Sequence, residues 1–274
     1  VIRISFIFLK LFLTLSALSA QERATTASGK QVILYDNGTW QPLSAVPAGA
    51  RLELPATIDQ HAIIHHTGFA LLYSETHEQA AWVGYVLRAS QLGGGVERKD
   101  NFKADPKVVT GSATPNDYRG SGYDRGHLAP AADLAWSEAS MDDSFFMSNM
   151  SPQLPGHNRG VWKRLEELVR DWASDSDSLY VITGPILKPG LPTIGPNEVS
   201  VPEAYFKAIF HYQGEQSKCI AFIVPNEASS EPLQRFAVNV DSVEQITGFD
   251  LFYAVEDELE KQIEAMLCLP CWSW

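Results

Sequence analysis

Between Ala62 and Ser90 the chain carries two apolar, β-rich runs, AIIHHTGFALLYS and AAWVGYVLRAS, split by the polar ETHEQ. That pattern predicts a pair of strands. Ser90 to Pro106 is rich in glycine and charge and reads as a loop, after which GSGYDRGHLAPAADL (120–134) opens another strand. Met141 to Met150 is compact and apolar, and SNMSPQLPGHNRG (148–160) reads as a loop. In NRGVWKRLEELVRDWA (158–173), Val161, Leu165, Leu168 and Trp172 recur at helical spacing, with Trp162 and Val169 alongside. LYVITGPIL (179–187), AYFKAIFHY (204–212) and KCIAFIVPN (218–226) predict three more strands, and a last helix runs from about Asp257 to Leu267. Strands and helices mix without a regular βαβ alternation, so the fold class is α+β. There are no repeats and no low-complexity segment.

The N-terminal part is different. VIRISFIFLKLFLTLSALSA, residues 1–20, has a positive start at Arg3 and an apolar run to Leu18 broken by Lys10. Small residues at Ala17, Ser19 and Ala20 offer a cleavage site. It reads as a signal peptide, too short for a comfortable membrane span. The expected product is secreted or periplasmic, with no membrane attachment after cleavage. Residues 21–55 read as a hairpin and linker: Val32 to Tyr35, the turn signal Asp36-Asn37-Gly38, then Thr39-Trp40, with Pro47 to Pro55 as the linker. The main domain is expected over 56–274.

Charge narrows the choice of partners. The net charge is −12, which excludes a global basic field that would collect nucleic acid or anionic membrane. The window Arg98–Arg170 is neutral, so the remainder carries all of the excess. Of three cysteines, Cys268 and Cys271 have the C-x-x-C spacing but lie at the extreme C-terminus, away from any strand-to-helix turn. A zinc site would need more ligands. The pairing expected in an exported chain is Cys219 with one of the tail cysteines.

The candidate chemistry sits in DRGH, residues 124–127. Histidine is the usual general base near neutral pH. Asn149, Asn158 and Glu166 are polar residues in or beside apolar surroundings. Counting by fours from Asn158 gives Trp162, Glu166 and Arg170, a slanted row on the helix. Glu166 and Arg170 form an i,i+4 pair able to hold each other. Asn158 alone could be an N-cap. His65 and His66 are adjacent on a strand, point to opposite faces and make a poor chelate, so they read as structural.

DRGH together with SNMSPQ (148–153), NRGVW (158–162) and Leu165-Glu166 resembles the DNA/RNA non-specific endonuclease family. The family comprises secreted sugar-non-specific nucleases related to mitochondrial endonuclease G. The resemblance extends from WVGYVL and RKDNFKADP to the TGP strand and AFIVPN, roughly Ile58 to the last helix. It implies a ββα-metal finger embedded in a mixed, mainly antiparallel sheet core with flanking helices. It implies His127 as general base and Asn158 as the direct ligand of a single Mg²⁺, with Mn²⁺ as the alternative ion. Glu166 would hold that ion through water, and Asn149 would support the histidine. Arg125 and Arg170 match phosphate-contacting arginines. A further arginine is expected upstream, where Arg98 is preferred over Lys99 and Lys103. Asp124 is expected to orient the loop or His127. DNA and RNA would both be substrates, held by phosphate contacts without base reading. Some relatives are dimers, so a homodimer is admitted, but no interface is legible. The competing readings are a catalytically dead relative that only binds, and a phosphoesterase of small or protein-linked diesters. Every catalytic position carries the expected residue type, against the first. The same site would serve the second.

Overall fold

The structure, a computed structural model, describes residues 22–26, 31–34, 38–42, 49–56 and 62–274. The signal-like segment and the turn residues Asp36 and Asn37 lie outside them. The chain divides into two units, residues 1–44 and 45–274. The first is a three-stranded antiparallel sheet of β1 (Glu22–Thr25), β2 (Gln31–Leu34) and β3 (Trp40–Pro42), with β2 in the middle and Leu34 opposite Trp40. The predicted hairpin is β2–β3; β1 adds a strand that the pattern did not mark.

In the second unit, β4 (Ile63–His65), β5 (Phe69–Ser74) and β6 (Gln79–Arg88) form a meander. The short α1 (Pro115–Tyr118), β7 (Asp124–His127), α2 (Glu138–Ser144), β8 (Met150–Gln153) and α3 (Lys163–Ser174) follow. Next come β9 (Ser178–Pro185), the small pair β10 (Thr193–Ile194) and β11 (Val199–Ser200), then β12 (Ala204–His211), β13 (Lys218–Pro225) and β14 (Ala237–Val238). The chain closes with α4 (Val240–Thr247) and α5 (Asp257–Glu264). The main sheet has seven strands in the order β14-β13-β12-β9-β6-β5-β4, all paired antiparallel.

Both faces of this sheet are covered, which is why its central strands read as continuous apolar runs rather than alternating ones. Leu165, Val169 and Trp172 of α3 pack on one face against Val83, Tyr85, Val181, Ile209 and Phe222. Val240, Val243 and Ile263 of α4 and α5 cover the other face with Trp82, Ile182, Phe206 and Phe210. Leu52 and Leu54, linker residues in the sequence reading, are buried in that second layer. Strand alternation puts Lys207 of β12 on the α3 face between Tyr205 and Ile209, fully buried. The helix α4 was not foreseen. Asn239 caps it by accepting from Ser242 N, and Gly248, at φ 75°, ends it in the left-handed conformation.

Candidate active site

β7 and β8 pair antiparallel with Asp124 opposite Gln153 and His127 opposite Met150, and the chain then enters the helix ending in α3. SNMSPQ, read as loop, therefore contributes a strand. Pro152, facing Arg125 in the register, and the shortness of the pair hid it. Gly126 is required here. A Cβ at that position would lie 2.2 Å from Cδ of the fully buried Gln153.

His127 is 8% exposed. Its ring meets Phe145 edge-on at 5.2 Å and Phe102 at 5.8 Å between centroids. Its Nε2 is buried without a hydrogen-bond partner. Burial first, then the Arg98 and Arg125 charges, push its pKa down to about 3. A neutral imidazole with an unpaired ring nitrogen is a proton acceptor in waiting. The two arginines lie over the same two phenylalanines: Arg125 4.0 Å above Phe102 and Arg98 5.1 Å above Phe145. Both guanidiniums are exposed, and Arg98 also pairs with Asp100 at 2.7 Å. Lys99 pairs with Glu138 and Asp142, and Lys103 stacks on Phe146. Among the three upstream cations, Arg98 is the one acting on His127.

Asn149 is fully buried. Its Oδ1 accepts from Ala129 N, and its Nδ2 donates to Ala129 O and Ser144 O, all at 2.9 Å. It fixes the chain just after His127 to the end of α2, next to Phe145. This is a positioning role, reached through backbone.

Asp124 does not orient His127. Its carboxylate accepts from Asn158 Nδ2 (3.0 Å) and, at 2.7 and 2.6 Å, from Arg159 Nε and Nη2. With its amide nitrogen held there, Asn158 keeps Oδ1 free of hydrogen bonds among the described residues, and that oxygen suits a hard cation. Nor is Asn158 an N-cap. Gly156 holds that position, and His157–Trp162 winds as a wide π-type turn broken at Gly160 (φ −111°, ψ −105°). Such turns are frequent at functional sites. The counted row from Asn158 to Arg170 assumed a regular helix, and the wide turn breaks it.

Glu166 and Arg170 do not form an ion pair. Arg170 Nη1 bonds the buried Asp133 Oδ1 at 2.8 Å, and Tyr85 donates to Asp133 Oδ2 at 3.0 Å. Lys207 faces the same group, its Nζ unpaired and 5.0 Å from the centre of the Trp162 ring. Burial raises the Glu166 carboxyl, Lys207 pulls it back, and Asp133 raises it further. Burial lowers Lys207 against the pull of both carboxylates. The carboxylate of Glu166 accepts no hydrogen bond among the described residues, leaving it available to a cation or its waters. Asp133, Lys207, Phe102, Phe145 and Arg159 escaped the sequence reading. The lone lysine in AYFKAIF was the one legible signal.

Residues 48–258 match the DNA/RNA non-specific endonuclease family, and the chain belongs to it. It is 37% identical over 195 residues to human mitochondrial endonuclease G, covering 66% of each chain. It is 33% identical over 231 residues to a nuclease of Nostoc, covering 80% of this chain and 82% of that one. A solved structure of the EndoG/EndoGI complex superposes with a TM-score of 0.67 at 30% identity, covering 72% of this chain and 87% of the other. The class is that of nucleic-acid hydrolases built on a ββα-metal fold within α+β.

Proposed function

We propose that the chain is an exported, Mg²⁺-dependent, sequence-non-specific endonuclease that hydrolyses phosphodiester bonds in DNA and RNA. The observation that carries this is His127: a neutral, buried imidazole with unpaired Nε2, flanked by two aromatic-stacked arginines on the strand pair that leads to Asn158. His127 takes the proton of the attacking water. Arg98 and Arg125 bind the phosphate and offset its growing charge. Asn158 directly through Oδ1, and Glu166 through water held by its carboxylate, would hold Mg²⁺, an all-oxygen environment that suits it. When bound, that ion supplies Lewis-acid stabilisation of the phosphorane and of the leaving oxygen. Arg170, committed to Asp133, holds the carboxylate cluster rather than the substrate.

A cleft lined by Pro115, Tyr118, Arg119, Tyr123, Asp124 and Arg125 lies beside β7. It offers the exposed Arg119 and Arg125 for a backbone and the half-buried Tyr123 for a stacked base, a sequence-tolerant combination, while Tyr118 is buried and forms the floor. Export is supported by the first 20 residues and by the disulfide Cys268–Cys271. Among the described residues no helix is long and apolar enough to cross a membrane. The test is digestion of plasmid, single-stranded DNA and RNA beside a chromogenic diester, with Mg²⁺ and with EDTA. Metal-dependent cleavage of all three polymers is expected. Cleavage of the chromogenic diester alone would move the small-diester reading to the front.

A further inference from the structure

α4 and α5 lie over β13 on the sheet face opposite α3. Asn239, the cap of α4, donates Nδ2 to Ala265 O at 3.0 Å and so ties the start of α4 to the end of α5. At this junction Asp241 and Glu244, three apart on α4, meet Glu264, the last residue of α5. One carboxylate oxygen from each lies within 4.8 Å of the other two.

Acidic clusters on a surface are ordinary, and Glu264 is what sets this one apart. It is 4% exposed, and its Oε1 is buried with no hydrogen-bond partner. It sits at the negative end of the α5 dipole, where a carboxylate is disfavoured. Burial, then Glu244, Glu260, Asp241 and Asp250, push its carboxyl up to about 10; all four of these neighbours are themselves acids. Among the described residues none of the three carboxylates pairs with a lysine, arginine or histidine. Glu244 Oε1 accepts from Leu251 N at 2.6 Å, which fixes its side chain at the junction. An unpaired carboxylate is costly there, so the group holds its proton until a cation displaces it and takes over the charge.

We propose that Asp241, Glu244 and Glu264 bind one hard divalent cation of the Ca²⁺ class, at a second site separated from the ββα finger by the main sheet. The donors are all oxygens, which excludes a preference for soft or nitrogen-seeking metals. Ca²⁺ binds oxygens at about 2.3–2.6 Å, so two oxygens on one ion lie at most about 5 Å apart. The cluster meets that spacing. Ca²⁺ also tolerates the irregular geometry that three side chains from two helices impose. The ion would fasten α4 to α5 and so contribute to stability without taking part in catalysis.

The experiment uses the full mature chain stripped with EDTA, titrated with CaCl₂ in the absence of Mg²⁺, and followed by calorimetric binding and thermal unfolding. Calcium should raise Tm in a concentration-dependent way. Asp241→Asn and Glu264→Gln should each weaken the binding by roughly tenfold or more. Asn158→Ala, altered in the ββα finger, should keep it. Asp241 is exposed, so its replacement keeps the test decisive even if Glu264→Gln folds poorly. No calcium-dependent rise in the wild type, or a rise undiminished in Asp241→Asn, would overturn the proposal.

Discussion

The guanidinium of Arg125 lies 4.0 Å from the centre of the Phe102 ring, and that ring packs 5.8 Å from the imidazole of His127. One phenylalanine therefore sets both the cation and the imidazole proposed as the base. Phe102→Ala removes a cation–π contact worth about 0.5–2 kcal/mol and opens the imidazole to water. The expected result is a folded enzyme with KM raised and kcat/KM lowered about tenfold. The His127 titration, read by NMR, should move upward toward the ordinary histidine value. An unchanged titration would show that Phe102 does not shield the ring.

His127 also makes stability depend on pH. Its folded pKa, about 3, lies below the unfolded value near 6.5, so the unfolded chain binds more protons. Its contribution is fully present above about 6.5 and is lost as pH falls toward 3, amounting to about 2 kcal/mol by pH 5. His157, pushed down to about 4 chiefly by burial, acts in the same direction. Urea unfolding at pH 7.5 and pH 5 should show a smaller acid loss in His127→Ala than in the wild type. Equal losses would contradict burial of a neutral imidazole.

Gly126→Ala forces a methyl group into the side chain of Gln153. Overpacking of this kind costs about 1–3 kcal/mol and should separate β7 from β8. Activity should fall with Tm. Adding Gln153→Ala should restore much of the Tm, because the obstacle is that one side chain.

Asp133→Asn leaves the half-buried Arg170 without its charged partner. A loss of about 3 kcal/mol in unfolding free energy is expected, together with reduced activity. A variant as stable as the wild type would show that the pair contributes little.

The sequence pairing of Cys219 with a tail cysteine is corrected by the structure. Cys268 and Cys271 bond each other, and Cys219 is free and buried. Burial raises its thiol well above the usual range. A thiol reagent should find no reactive group in the native protein, one after denaturation, and three after denaturation with reduction. Two would mean a different covalent state. Spacing alone could not decide this, because pairing depends on how the tail returns to α3, where Trp272 packs on Trp172 at 4.5 Å.

The long strands and α3 were legible because both sheet faces are covered and their apolar runs are unbroken. β8 was not, since four residues including a proline carry no periodicity. α4 was missed because its apolar face is narrow and its cap is a single asparagine. DRGH, the asparagines and Glu166 were legible as residue types, and the structure places them on one ββα unit and the helix that follows. Their partners were not. Asp124 holds Asn158 across 34 positions, and Asp133 holds Arg170 across 37. Pairings at such separations are set by the fold and leave no local pattern.

His127 is proposed as the base of a metal-dependent phosphodiester hydrolysis. The most direct measurement is cleavage of plasmid and RNA by the purified protein, with Mg²⁺ and with EDTA, beside folded His127→Ala. Cleavage that needs the metal and falls by two orders of magnitude or more in the variant is the expected result. A folded His127→Ala that cleaves as fast as the wild type, or a folded wild type that cleaves neither polymer with any divalent ion, would contradict it.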